Sequence, residues 1–294
     1  RKADLEHADL LLATDPDADR VGIAVRNSNG EMQLLNGNQT GTLLFYYMLS
    51  QYQLHNKLTG DQFVVKTIVT TDLIQRIATD FNVECENVLT GFKYIAESIR
   101  KHESDKKFIV GGEESYGYLI GDFVRDKDSI SACCMIAEMA AYYAITGTPK
   151  HKLLTDILTD IYRSLGYYKE DLLSITKTGK EGLEEIQQMM EDYRSNPPKT
   201  LCGQPVTMMK DYESHKYYNF EHHSNGILDL PTSNVLQFFT ADNSKITVRP
   251  SGTEPKIKFY FSVVEPLKKR GNVIEAEEIL NQRIEKLKKD IVKA

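Results

Sequence analysis

"FVVKTIVTTDLIQRIATDF", residues 63–81, decides the fold. Its first half is an apolar run rich in β-branched residues, which suits a strand buried on both faces. Its second half opens at Thr71 and Asp72, then places Leu73, Ile74, Ile77, Ala78 and Phe81 at the spacing of one helical face. A strand feeding into an amphipathic helix is half of a βαβ unit. Downstream the alternation continues. "VECENVL" (83–89) reads as a strand, "FKYIAESIRKH" (92–102) as a helix and "KKFIVGG" (106–112) as a strand. "YGYLIG" (116–121) is an extended return, and "DSISACCMIAEMAAYYAI" (128–145) a long apolar helix. This order predicts an α/β domain with a mostly parallel sheet covered on both faces.

Upstream, "ADLLLAT", "VGIAV" and "EMQLL" read as strands, the last two joined by the turn "RNSNGE", and a helix is expected from Asn38 to about Gln53. Past the α/β region one more helix is expected, then a breaker cluster, "YRSNPPKTL". The short strands "GILDL", "VLQFFT", "KITVR" and "KIKFYFSVV" follow, and a closing helix carries Ile279, Leu280, Ile284, Leu287 and Ile291 as a stripe. That part reads as a separate α+β domain. The expected boundaries are 1–37, 38–163 and 164–294. Since the sequence opens at Arg1 without Met and "LEHADLLLAT" reads like a unit already under way, an N-terminal portion of a longer protein is expected to be missing.

The net charge of −6 over 294 residues argues against a nucleic-acid footprint, which needs a basic stripe. No apolar run is expected to serve as a membrane span. Four cysteines (Cys85, Cys133, Cys134 and Cys202) show neither CxxC spacing nor scaffold density, which suits free thiols in a reducing cytoplasm.

Three loops carry chemistry. In "DPDADR" (15–20), Asp15, Asp17 and Asp19 alternate, and in an extended chain alternate side chains point the same way. Three converging carboxylates raise one another's pKa unless a cation joins them, and oxygen-only ligands favour Mg2+ or Ca2+. An EF-hand fails by position, because Arg20 stands where its glycine belongs and Arg26 where its glutamate belongs. Arg20 is placed to contact a phosphate. In "GGEESYG" (111–117), Glu113 and Ser115 can grip a polyol. In "RPSGTEP" (249–255), Arg249 offers a bidentate phosphate contact, Ser251 and Thr253 offer hydroxyls, and Gly252 permits the positive-φ backbone of an anion nest. No lysine follows that glycine and a strand rather than a helix comes next, so a Walker loop is not expected.

In this order, the three loops resemble the metal-, sugar- and phosphate-binding loops of the α-D-phosphohexomutases, the phosphoglucomutase/phosphomannomutase superfamily. "VVKTIVTTDLI", "LTGFKYI" and "VRDKD" are similar to that family's third domain. The resemblance implies Mg2+ on Asp15, Asp17 and Asp19, with Arg20 beside the substrate. It implies sugar or phosphate contacts from Thr90, Gly91, Lys93, Glu113, Ser115 and Lys127. Arg249, Ser251, Gly252 and Thr253 would hold the unreacting phosphate. The GEES form is similar to that of glucose-preferring members. Lys93 and Lys127 are the candidate acid–base groups, and Arg20 and Lys127 the expected catalytic ones.

The implied ligands are hexose phosphates and a hexose bisphosphate, and the implied partner is the missing N-terminal domains. Family members carry a nucleophilic serine in a Thr-Ala-Ser-His-Asn-Pro-like loop, and these 294 residues contain no such loop. A binding fragment without turnover is therefore expected. Two alternatives stay open: a haloacid-dehalogenase-like phosphatase using Asp15 and Asp17, and a non-catalytic sugar-phosphate-binding protein.

Overall fold

A computed structural model describes residues 1–146, 152–252, 254–267 and 272–293. The chain divides into two compact units, Arg1–Gly166 and Tyr167–Ala294.

The first unit opens with a short helix α1 (Lys2–Leu5) and an antiparallel meander, β1 (Leu10–Thr14), β2 (Val21–Arg26) and β3 (Met32–Leu35). Helix α2 (Gly37–Leu54) starts on a capping box. Asn36 Oδ1 accepts from Gln39 N at 2.9 Å, and Gln39 Oε1 accepts from Asn36 N at 3.1 Å. The stretch 63–81 folds as its pattern predicts. Strand β4 (Gln62–Thr67) is buried throughout, and α3 (Asp72–Asp80) is capped by Thr71 Oγ1, which accepts from Leu73 N at 3.3 Å. After it come β5 (Glu84–Val88), α4 (Phe92–Lys101), β6 (Lys107–Gly112), β7 (Tyr118–Ile120), α5 (Ser129–Thr146) and α6 (Leu154–Leu165).

The sheet order is β5-β4-β6-β7, with β4 parallel to both β5 and β6 and only β7 antiparallel. Both faces are covered, and two adjacent glycines show how. A Cβ on Gly111 would press on Ile95 of α4, while one on Gly112 would press on Phe45 of α2 and on Tyr118. Successive strand residues face opposite ways, so the helices lie on opposite sides. The α4 side is packed by Phe63, Val65, Val88, Phe92, Ile95, Ile99, Phe108 and Leu119.

Helix α5 departs from the expectation that no segment has membrane-span character. Its 18 residues have a mean hydropathy of 1.3, long and apolar enough to cross a membrane by length and composition. Such helices also occur in protein cores. Ala132, Ile136, Met139 and Tyr143 form a buried stripe along it, spaced by three or four residues as a packed helix requires.

The second unit is built on an antiparallel sheet ordered β12-β11-β10-β13-β14-β15-β8, with β9 paired to β10. Its elements run β8 (Tyr167–Thr176), α7 (Gly179–Ser195), β9 (Thr200–Leu201), β10 (Gln204–Asp211), β11 (Lys216–Asn219) and β12 (Ser224–Ile227). The rest are β13 (Leu236–Thr240), β14 (Lys245–Pro250), β15 (Lys256–Glu265) and α8 (Val273–Lys293). Tyr193 joins both helices to the sheet. Its ring packs edge-on to Phe238 and Phe259, and its hydroxyl donates to Ile291 O at 2.5 Å.

Five elements here were not anticipated: β8, α7, β9, β10 and β11. Strand β8 carries "YYKEDLLSIT", too charged for an apolar signature because it is an edge strand, and α7 runs into the breaker cluster, ending at its Ser195. Conversely, "GILDL" keeps strand geometry only to Ile227, and Leu228 N instead bonds His215 O at 2.8 Å.

Candidate functional site

The acidic loop is a tight turn rather than an extended segment. Strands β1 and β2 pair in register up to Thr14↔Val21, so residues 15–20 must reverse the chain. Pro16 and Ala18, the latter at φ 56°, accomplish this, and Ala18 N bonds Asp15 O at 3.0 Å. The alternation argument for convergence therefore fails here, because turn residues do not project with a period of two. Asp15 Oδ1 accepts from the amides of Asp19 and Arg20, both at 3.2 Å. Burial pushes its pKa up, but those two amides, the Asp19 side chain and the Arg20 charge together hold the group below the usual aspartate value. Asp17 is exposed.

Among the described residues, no group of three or more His, Cys, Asp or Glu side chains is gathered closely enough to hold a metal. The donor chemistry nonetheless fits Mg2+. All three side chains offer oxygen, and Asp19 Oδ1 is buried without a hydrogen bond, with Arg20 Nε 3.9 Å away.

The glutamate turn links β6 to β7 and is closed by Glu113 N donating to Gly117 O at 2.9 Å. Glu113 is only 5% exposed, and its Oε1 accepts from Gly91 N at 2.9 Å. One of the expected sugar-gripping oxygens is therefore already used. Burial is the largest influence on this carboxyl and leaves its pKa above the usual glutamate value; Glu114 raises it further, against the Gly91 amide, Lys127 and Arg20. Gly91 sits at φ 124°, a backbone state that requires glycine. Glu114 turns the other way, and its Oε2 accepts from Thr67 Oγ1 at 3.3 Å and Thr70 Oγ1 at 3.2 Å. Gly37, at the start of α2, lies so close that a Cβ there would overlap the Glu114 carbonyl.

The two loops meet. Arg20 and Gly117 form an antiparallel bridge, and Val21 N donates to Tyr116 O at 3.1 Å. Ser129 Oγ donates to Ala18 O at 2.6 Å. Lys127 Nζ lies 3.1 Å from Asp19 Oδ2 and 3.1 Å from Asp126 Oδ1. Burial lowers the Lys127 pKa, but its two carboxylate partners outweigh that and hold it above the ordinary lysine value. A lysine held so firmly protonated is no general base near neutrality, so the structure favours a cationic role for it.

Thr90 Oγ1 is buried without a partner, Ser115 is half-buried, and Lys93 is exposed with its ammonium 4.8 Å from the Tyr94 ring. The supporting residues Gly37, Thr67, Thr70, Glu114 and Ser129 escaped the sequence reading. Their only advance signal is "TTD" after a buried strand, which resembled the family without suggesting a role.

The arginine loop belongs to the second unit and joins β14 to β15. Ser251 N donates to Lys256 O at 2.7 Å, and Ser251 Oγ accepts from Glu254 N at 3.3 Å. Arg249 stands directly opposite Lys258. Two cations on one face of neighbouring strands repel unless an anion joins them. Gly252 does not adopt positive φ, contrary to the nest expectation, because the turn closes through Ser251 and Lys256 instead. Its service is space, since nothing lies within 4 Å of where its Cβ would sit. Thr253 lies outside the described residues.

This combination of a parallel α/β sheet, loops at its strand ends and an antiparallel second unit defines a class that the comparisons sharpen. Residues 36–163 match the family described as phosphoglucomutase/phosphomannomutase, alpha/beta/alpha domain III. A phosphoglucomutase of Staphylococcus aureus (strain MRSA252) is 41% identical over 265 residues, covering 90% of this chain and 46% of the relative.

Among solved structures, pp63/parafusin from Paramecium in its open form aligns with a TM-score of 0.66 at 18% identity, covering 97% of this chain and 46% of that one. A phosphoglucomutase/phosphomannomutase family protein from Burkholderia thailandensis aligns with a TM-score of 0.58 at 14% identity, covering 98% and 48%. The chain spans about half the length of the curated relatives it matches. Residues 36–163, which hold the glutamate turn, are thus similar to domain III of the phosphoglucomutase/phosphomannomutase family.

Proposed function

We propose that this chain is part of a phosphohexomutase that moves phosphate between C1 and C6 of a hexose, preferably glucose, through a phosphoserine and a sugar bisphosphate. Residues 1–37 would end a second domain, 38–163 form the third and 164–294 the fourth. The observation that carries the reading is the meeting of the acidic and glutamate turns through Arg20, Gly117 and Lys127.

The residues divide the work. Arg20 and Lys127 place positive charge where a phosphoryl group must sit. Thr90 and Ser115 offer hydroxyls to the sugar, with the free oxygen of Glu113 accepting beside them. Arg249, with Ser251 and the open space at Gly252, holds the phosphate that is not reacting. Asp15, Asp17 and Asp19 would hold Mg2+, which when bound neutralises charge during phosphoryl transfer. The nucleophilic serine is not among these 294 residues. The chain alone should therefore bind hexose phosphate without turning it over.

Calorimetric titration with glucose 1-phosphate, mannose 1-phosphate and ribose 1-phosphate tests the binding, and glucose 1-phosphate should bind tightest. In the full-length protein, Arg249→Ala should reduce kcat/KM by on the order of a hundredfold, as loss of a charge-assisted phosphate contact implies. An unchanged rate would remove the arginine loop from the mechanism.

A further inference from the structure

We propose that Lys127 is a positioning residue for the metal: it pins one oxygen of Asp19 so that the other is presented to the cation. The inference rests on the Mg2+ reading given above. It concerns how the chain prepares that site, and it makes metal affinity a property of the glutamate turn as well as of the acidic one.

The two oxygens of Asp19 have different surroundings. Oδ2 faces the Lys127 ammonium at 3.1 Å, whereas Oδ1 is buried and receives no hydrogen bond. A carboxylate held by one oxygen offers the other in a fixed direction, as ligating carboxylates generally need. Because the ammonium engages Oδ2, it is not a stand-in for a cation at Oδ1.

Lys127 is itself fixed. Asp126 Oδ1 engages its ammonium at 3.1 Å, the Phe92 ring centre lies 5.4 Å from Nζ, and only 13% of the side chain is exposed. Its methylene stem fills the space that a side chain at Gly117 would need. Gly117 does not adopt positive φ, so its backbone imposes no glycine requirement and the lysine stem is the obstacle. The glycine that ends the glutamate turn is thus the groove in which the metal-positioning lysine lies.

A lysine near a metal ligand can act in two opposite ways, and they predict opposite signs. Charge repulsion alone makes removal of the lysine tighten metal binding. Orientation makes removal weaken it, by the 10- to 100-fold typical of outer-shell partners.

The experiment is titration of the chain with Mn2+, which shares the oxygen preference of Mg2+ and reports its free concentration by electron paramagnetic resonance. Lys127→Met should weaken Mn2+ binding about 10- to 100-fold, and Lys127→Arg should restore part of the loss. Gly117→Ala keeps every charge but displaces the stem, so it should weaken binding in the same direction by a smaller factor. It also keeps the test informative if Lys127→Met fails to fold. Unchanged or tighter Mn2+ binding in the folded Lys127 and Gly117 variants overturns the proposal while leaving the metal reading intact. If the unaltered chain binds no Mn2+, or Asp19→Asn binds it as well as the unaltered chain, the metal reading itself falls and the proposal with it.

Discussion

Lys66 and Lys127 both stand beside loops at the carboxyl ends of the parallel sheet, yet they do different jobs. Lys66 is the penultimate residue of β4, is wholly buried, and bonds Asp72 Oδ1 at 2.9 Å, Thr70 O at 3.2 Å and Thr67 O at 3.4 Å. All its partners belong to its own β4–α3 connection. Lys127 remains slightly exposed and reaches back to Asp19 in the β1–β2 turn. The first lysine frames a loop, and the second couples two. Sequence separation, more than charge, distinguishes the roles.

Four variants would break or sharpen that contrast. The largest effect is expected at Asp72→Ala, which strands the buried Lys66 ammonium. It should cost about 3 kcal/mol in urea unfolding, the low end for a broken buried pair because Asp72 is partly exposed. An unchanged midpoint would mean that Lys66 is not held by charge.

Gly37→Ala comes next, since its Cβ would overlap the Glu114 carbonyl. Overpacking of this kind costs about 2 kcal/mol, and faster amide exchange across residues 113–117 should accompany it. A loop left as protected as before would show that α2 does not hold the turn.

The double change Thr67→Val with Thr70→Val removes both hydroxyl donors to Glu114 Oε2. About 1 kcal/mol is expected, because Glu114 is half-buried and water can replace part of what is lost.

The smallest effect is a pH dependence. Burial raises the Glu113 pKa above its ordinary 4.5, so the folded state disfavours the ionised form. Its contribution is most favourable below that ordinary value and is lost as pH rises through the raised folded value. Melting of Glu113→Gln relative to the parent, followed from pH 4 to 7, should therefore shift in favour of the variant as pH increases. A difference that stays flat with pH would contradict the burial account.

Much of the fold was legible because its elements carry strong periodicity. Residues 63–81 read correctly as strand then helix since β4 is buried on both faces and α3 has one apolar side. Strand β8 was not legible because an edge strand keeps charges such as Lys169, Glu170 and Asp171. Within the candidate site, residue type drew attention to the acidic and glutamate turns, which the fold brings together, while local geometry misled. Asp15, Asp17 and Asp19 alternate in sequence, but Pro16 and the positive φ of Ala18 fold them into a turn. Glu113 looked free, yet it caps an amide that is near only after α4 packs on the sheet. The pairing of Lys127 with Asp19 depends on tertiary folding, and nothing local announces it.

Gly111 and Gly112 carry one consequence for how such a chain can vary. Strand β6 surrenders its own side chains on both sides immediately before Glu113, so α4 and α2 press against bare backbone there. The turn thus takes its placement in part from the two helices packed on β6. Within the turn, Ser115 is the position least tied to the sheet, since Glu114 bonds Thr67 and Thr70 and Tyr116 O accepts from Val21 N. A bulkier residue at either glycine would instead transmit a helix displacement straight into the glutamate turn.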